Sequence, residues 1–156
     1  MLKIIDPLFS FELEGDWVEV PGEDPDLRTV RLADEGVQVA AAGLCLKLAP
    51  QVIETFARRF VEIRVKNEIG VAAKAGIDKV FIAKPQVVRR PWGYAIAYFG
   101  SDDRERHFSF SGVVTKSGVI SIYAETFTGS RSEVSSVMDA IAGSLQFDRT
   151  PAMPPR

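Results

Sequence analysis

From Lys79 to Phe127, large apolar residues alternate with polar or small ones, and only short turn sequences interrupt the pattern. A period of two over that length commits this part of the chain to consecutive strands joined locally, and hence to antiparallel pairing without long crossovers. The first segment, Lys79 to Arg90, is rich in β-branched and aromatic residues. Pro85 cannot donate to a ladder, so this strand lies at an edge, or breaks at Lys84–Pro85 and resumes at Gln86. Pro91, Trp92 and Gly93 supply a turn. The next strand sets Tyr94, Ile96 and Tyr98 on one face and Ala95 and Ala97 on the other. Beyond the polar loop Gly100–Arg106, Phe108 and Phe110 alternate with His107, Ser109 and Ser111, and after a turn at Lys116–Gly118 the residues Ile120, Ile122 and Ala124 share a face.

Shorter strands precede the meander. Phe9, Phe11 and Leu13 alternate with Ser10 and Glu12, Glu14–Asp16 turns the chain, and Trp17, Val18 and Val20 form a second apolar element before the turn-forming loop Pro21–Asp26. Thr29–Ala33 and Gly36–Ala41 read as two more strands, joined around Asp34–Gly36. At Pro50 the period changes: Val52, Ile53, Phe56, Phe60 and Ile63 recur at helical spacing, which predicts a helix over Pro50–Asn67. Val71–Ile77 is read as a loop rather than a helical extension. A second helix, Ser132–Leu145, carries the stripe Val134, Val137, Met138, Ile141 and Leu145, with Ser132 or Ser130 as N-cap and a short extended piece over Ser144–Phe147. Two periods in one chain predict an α+β fold: a curved antiparallel sheet of about six or seven strands with two main helices packed on it. Residues 1–148 are expected to form one such domain, and 149–156 a flexible Pro-rich tail.

The chemistry is defined mainly by exclusion. A net charge of −2 lacks the basic excess of a phosphate-backbone binder, so nucleic acid is not an expected partner. Residues 1–7 lack the apolar core of a secretory signal and no apolar run could span a bilayer, which points to a cytoplasmic protein. The single Cys45 allows no intramolecular disulfide, and its apolar surroundings predict a small buried hydrophobe. His107, the single histidine, has no nucleophile elbow to serve and reads as structural or surface. One His and one Cys fall short of the usual metal-ligand sets, and no glycine-rich phosphate loop occurs, so no metal or nucleotide cofactor is expected. Acids crowd Glu12–Glu35 while Arg58, Arg64, Arg89, Arg90 and Arg106 make the middle basic, a split consistent with solvated faces or with steering of a charged partner.

The order of elements also carries information. An opening Phe9–Leu13 strand, Trp17 close behind it, short strands, an amphipathic helix, an antiparallel meander and a closing helix ending Ser144–Phe147 together resemble the PsbP-like superfamily. That superfamily includes the DcrB proteins, the Ran-binding Mog proteins and the effector-associated (Eag) chaperones of bacterial type VI secretion. Glu14-Gly-Asp-Trp17 stands where the family has a Pro-x-Gly-Trp turn. The resemblance implies an α/β/α-like sandwich used to bind other proteins, with no shared catalytic residues.

Both lines converge on a non-enzymatic protein-binding module of the adaptor, secretion-chaperone or immunity type, with a protein partner and room for a homodimer. The alternative is a small-molecule-binding protein or enzyme with a carboxylate-lined pocket between sheet and helix. The expected contact surface is the sheet face and turns carrying Trp92, Tyr94, Tyr98 and Tyr123, with Arg89 and Arg90 at its rim. The competing expectation buries these aromatics under the helices.

Overall fold

The computed structural model describes residues 1–22, 24, 27–32 and 36–147. Among these described residues, eleven strands and two α-helices follow in the order β1 (Leu2–Ile5), β2 (Phe9–Leu13), β3 (Trp17–Glu19), β4 (Leu27–Leu32), β5 (Val37–Cys45), α1 (Ile53–Lys74), β6 (Val80–Ile82), β7 (Gln86–Arg90), β8 (Gly93–Asp102), β9 (His107–Thr115), β10 (Gly118–Thr126), α2 (Arg131–Ser144) and β11 (Gln146–Phe147). Eight strands form one antiparallel sheet in the order β3-β4-β5-β10-β9-β8-β6, with β7 also on β8, while β1, β2 and β11 make a separate three-stranded sheet. The meander is therefore the centre of the large sheet. The break expected at Pro85 is real: β8 is long enough to pair with β7 along Gly93–Ala97 and with β6 along Gly100–Asp102. The two short strands share one edge of the sheet, and Pro85 sits between them where no donor is needed.

The large sheet is buried from both sides, by different means. On one face α2 and the three-stranded sheet cover Val30, Val39, Ala41, Val113, Ile120, Ile122 and Ala124. On the other, α1 covers Ile96, Tyr98, Phe108, Phe110 and Val114. The alternations along β8, β9 and β10 set these two faces, with Tyr98 opposite Phe110 and Phe110 opposite Tyr123 across neighbouring strands. The expected antiparallel sheet with two main helices packed on it is present, with eight strands rather than six or seven, and beside it stands the small second sheet, whose outer strand is the unforeseen β1. Its four residues show too little alternation to signal a strand alone, and they become one only by pairing Ile4 with Phe11.

Two further expectations are corrected. The first helix runs to Lys74, not Asn67, and Val71–Lys74 is helical rather than loop. Gly70 falls on an open helix face where it is tolerated, and the true stop is Gly76, at φ +76°, whose N–H donates to Ala73 while that of Ile77 donates to Ala72. This is the paired closure of a Schellman motif, which needs a left-handed residue just past the helix end. At the front, Pro50–Val52 is a 3₁₀ turn that leads into α1. Of the two serines offered as N-cap of α2, Ser130 is the one used: its hydroxyl accepts the Glu133 N–H, with Glu133 at the spacing of a capping box. Cys45 is exposed, not buried, because it ends β5 at the sheet rim opposite Gly118. The expected tail at 149–156, and the turn residues Asp34 and Glu35, lie outside the described residues.

Two hairpins close by the same device. Gly93 and Gly118 each leave a two-residue turn at φ +146°, and a Cβ on either would collide with a neighbouring backbone carbonyl, that of Val114 or of Leu44. Gly93→Ala and Gly118→Ala are each expected to destabilise the fold by about 1–3 kcal/mol, read as a lowered urea midpoint with unchanged slope.

Candidate functional site

α1 packs mainly on β8, with β6 and β9, and so covers only part of its face of the large sheet. Beside its C-terminal half, the same face of β4, β5 and β10 is left as a trough floored by Ala40, Ala42, Ser121 and Tyr123 and walled by Leu27 and by Arg64, Asn67 and Val71 of the helix. The small residues follow from register, since Ala40 lies opposite Thr29 and Tyr123, and Ala42 opposite Leu27 and Ser121. The cleft encloses about 430 Å³ and is open to solvent along its length. Apolar surface is left unburied at its wall: Val71 is 68% exposed and Leu27 43%.

One end of the trough is closed by a buried charge network centred on Arg106. Asp102, buried at the end of β8, accepts the backbone N–H groups of Arg104 and Arg106 and, through its second oxygen, Nε of Arg106 at 3.0 Å. The rest of the guanidinium donates to the Tyr123 hydroxyl at 3.0 Å, to Glu125 at 3.3 Å and to Glu68 of α1 at 3.2 Å, and it lies 4.6 Å from the Phe108 ring centre. Glu68 also accepts the hydroxyls of Tyr123 at 2.6 Å and Tyr98 at 2.9 Å. Burial, reinforced by the Glu68 charge, raises both phenols above their ordinary range, so they remain protonated donors. Burial also resists ionisation of Asp102, but the Arg106 side chain and the two backbone N–H donors outweigh it and hold the carboxyl below its usual value. At Glu125 burial wins against Arg106, and the carboxyl titrates above its usual value. The acids here are thus occupied by Arg106 and tyrosine hydroxyls. No group of three or more His, Cys, Asp or Glu side chains placed to hold a metal occurs among the described residues.

The structure separates the six residues expected to form one contact surface. Tyr94, Tyr98 and Tyr123 face α1, but Tyr98 is buried at 2% exposure, and Tyr94 donates to Glu54 near the opposite end of the helix. Trp92 packs on the other face, edge-on to Phe147 at 5.0 Å, because the turn at Gly93 breaks the strand parity that would align it with Tyr94. Arg89 and Arg90, adjacent on β7, point to opposite faces, with Arg89 opposite Tyr94 and Arg90 opposite Gly93. Tyr123 alone of the six lines the trough. Sequence reasoning missed Arg64, Glu68, Arg106 and Glu125 as a group. The helical spacing of Arg64 and Glu68 was the available signal, and it was lost by ending the helix at Asn67.

No protein-family model matches the chain, and no curated protein matches it in sequence. Solved structures do match it in shape. The solution structure of PsbP (CyanoP) from Synechocystis sp. PCC 6803 superposes with a TM-score of 0.65 over 94% of this chain and 92% of its own, at 15% identity. The fold is PsbP-like. A point mutant of the protein Mog1 superposes with a TM-score of 0.57 over 99% of this chain and 100% of its own, at 5% identity. On this PsbP-like frame the large sheet remains open, with a helix on each face.

The Arg106 network gives opposite pH dependences at its two ends. Asp102, with a lowered folded value, contributes stability that is full above the free-Asp value of about 3.9 and is lost as pH falls through its folded value. Glu125, with a raised one, binds its proton more tightly when folded, so stability falls as pH rises from the free-Glu value of about 4.3 through the folded value. Asp102→Asn is expected to cost about 3 kcal/mol at neutral pH and to flatten the acid limb. Glu125→Gln is expected to remove the decline on the rising side and to stay within about 1 kcal/mol of the parent at neutral pH. Urea midpoints across the acidic to neutral range check both.

Proposed function

We propose that this protein is a non-enzymatic protein-binding module, and that the trough between α1 and the β4–β5–β10 face receives the partner. The observation that supports this reading is the half-covered sheet: apolar side chains from helix and strand line an open channel, and Val71 and Leu27 stay solvent-exposed beside it. Contiguous apolar surface rimmed by polar groups marks interaction sites. The rival, an enzyme or small-molecule binder with a carboxylate-lined pocket, requires acids free to act. Glu68 and Glu125 are instead bound to Arg106, and the cleft is open rather than enclosed. Within this reading the protein works in the cytoplasm as an adaptor, a secretion-associated chaperone or an immunity protein. Genes for secretion components or a toxin beside its own would select among these.

A photo-crosslinking residue placed at Ala42, on the trough floor, tests the reading in the source cell against the same residue at Ser135, exposed on α2. A discrete protein adduct is expected from position 42 and not from 135. Adducts of equal yield from both positions, or from 135 alone, overturn the assignment of the trough.

A further inference from the structure

Of the two arginines that line the trough, Arg106 is surrounded by carboxylates and Arg64 is not. The Arg64 guanidinium lies 4.6 Å from the Phe110 ring centre and 5.6 Å from that of Tyr123, held in place by the two aromatic faces. Glu68 stands four residues further along α1, the spacing at which a helical Arg and Glu ordinarily pair. The same spacing does produce a pair at the front of the helix, where Glu54 and Arg58 meet at 2.9 Å. At Arg64 it does not: Glu68 is turned toward Arg106 and the hydroxyls of Tyr98 and Tyr123, and among the described residues Arg64 forms no ion pair. Its Nε is buried without a hydrogen-bond acceptor. A half-buried guanidinium without a counter-ion, oriented by the two rings and by the neighbouring Tyr98 hydroxyl and reaching the open cleft, is pre-organised to hold a carboxylate by two parallel bonds from its terminal nitrogens.

Resting on the reading of the trough as the contact surface, we infer that Arg64 is the specificity residue for the partner and receives an acidic side chain flanked by apolar ones. The apolar neighbours would lie against Leu27, Ala40, Ala42 and Val71, which line the same cleft. A singly charged carboxylate fits better than a phosphoryl group, because Glu68 and Glu125 also line the trough and oppose a dianion.

The test uses three blocked pentapeptides, Ala-Leu-X-Leu-Ala with X as Glu, Gln or phosphoserine, titrated into the ¹⁵N-labelled full chain. The amides of Ala40 and Ala42 report occupancy of the trough, and the Arg64 Nε–H resonance reports the ionic contact. The Glu peptide is expected to bind about tenfold more tightly than the Gln peptide and to move the Arg64 resonance, and Arg64→Gln is expected to reduce the difference to less than about twofold. Arg64→Lys keeps the charge but loses the fork and the stacking, and should lose most of the preference. Equal binding of the Glu and Gln peptides, or tighter binding of the phosphoserine peptide, overturns the inference about Arg64 while leaving the trough as a binding surface. No movement of Ala40 or Ala42 with any peptide counts against the trough itself. The comparison of peptides on the parent protein stands even if a variant fails to fold.

Discussion

Arg106 ties the turn after β8 to β10 and to the far half of α1. It leaves the tight turn after β8, bonds back to Asp102 at the root of that turn, crosses to Tyr123 and Glu125 on β10, and reaches Glu68 near the end of α1. A buried guanidinium is tolerable only when its donors are met, and three carboxylates together with a phenol meet them here. The requirement fixes the long helix at its far end, where packing alone would not. α1 lies on β8 and β9 through Ile53, Ala57 and Val61 in its first half. Its second half carries one fully buried apolar residue, Ala72, with Val65 half-buried, and is tied to the sheet through Glu68 and through Arg64 over the Phe110 and Tyr123 rings.

This division explains the trough. A helix held by apolar packing along its whole length would settle onto the sheet and bury the face beside it. A helix held at its far end by a polar tether stands over the meander and leaves β4 and β5 uncovered, with small side chains at Ala40 and Ala42 deepening the gap. On the opposite face α2 is joined by a second sheet whose Ile4, Phe9, Phe11 and Leu13 complete the core, and the cleft left there, about 570 Å³, lies at the margin between α2, Leu13 and Trp17 rather than over the centre of the large sheet.

Much of the fold was legible because its strands alternate locally. The faces of β8, β9 and β10, the break at Pro85 and the closing extended piece follow from residues within a few positions of one another. What was not legible depends on residues far apart. β1 is a strand only through β2, and Gly70 and Gly76 look alike in sequence but differ in the backbone angle the chain requires of them. The site was less visible still. Arg106 lies in a run of charged residues that reads as a solvated loop, and its burial depends on Glu68, 38 positions away, and on Glu125, 19 positions away. The aromatics Trp92, Tyr94, Tyr98 and Tyr123 do not share one face for a simpler reason, since alternation does not carry through a turn whose glycine has positive φ.

The three-stranded sheet makes the two faces differ in the length of chain they must close. Its central strand, β2, pairs with β1 on one side and β11 on the other, and Ser144 at the end of α2 both accepts from and donates to the backbone of Glu12 across 132 positions. Closing so long a loop carries an entropy cost that only the finished contact can offset. The α1 face, drawn almost wholly from Ile53–Thr126, can assemble from local hairpins before that happens. In a chain made from its N-terminus every residue of the trough is therefore made before α2, and Phe9 and Phe11 lack the cover of Val134 and Ile141 until that helix has been added.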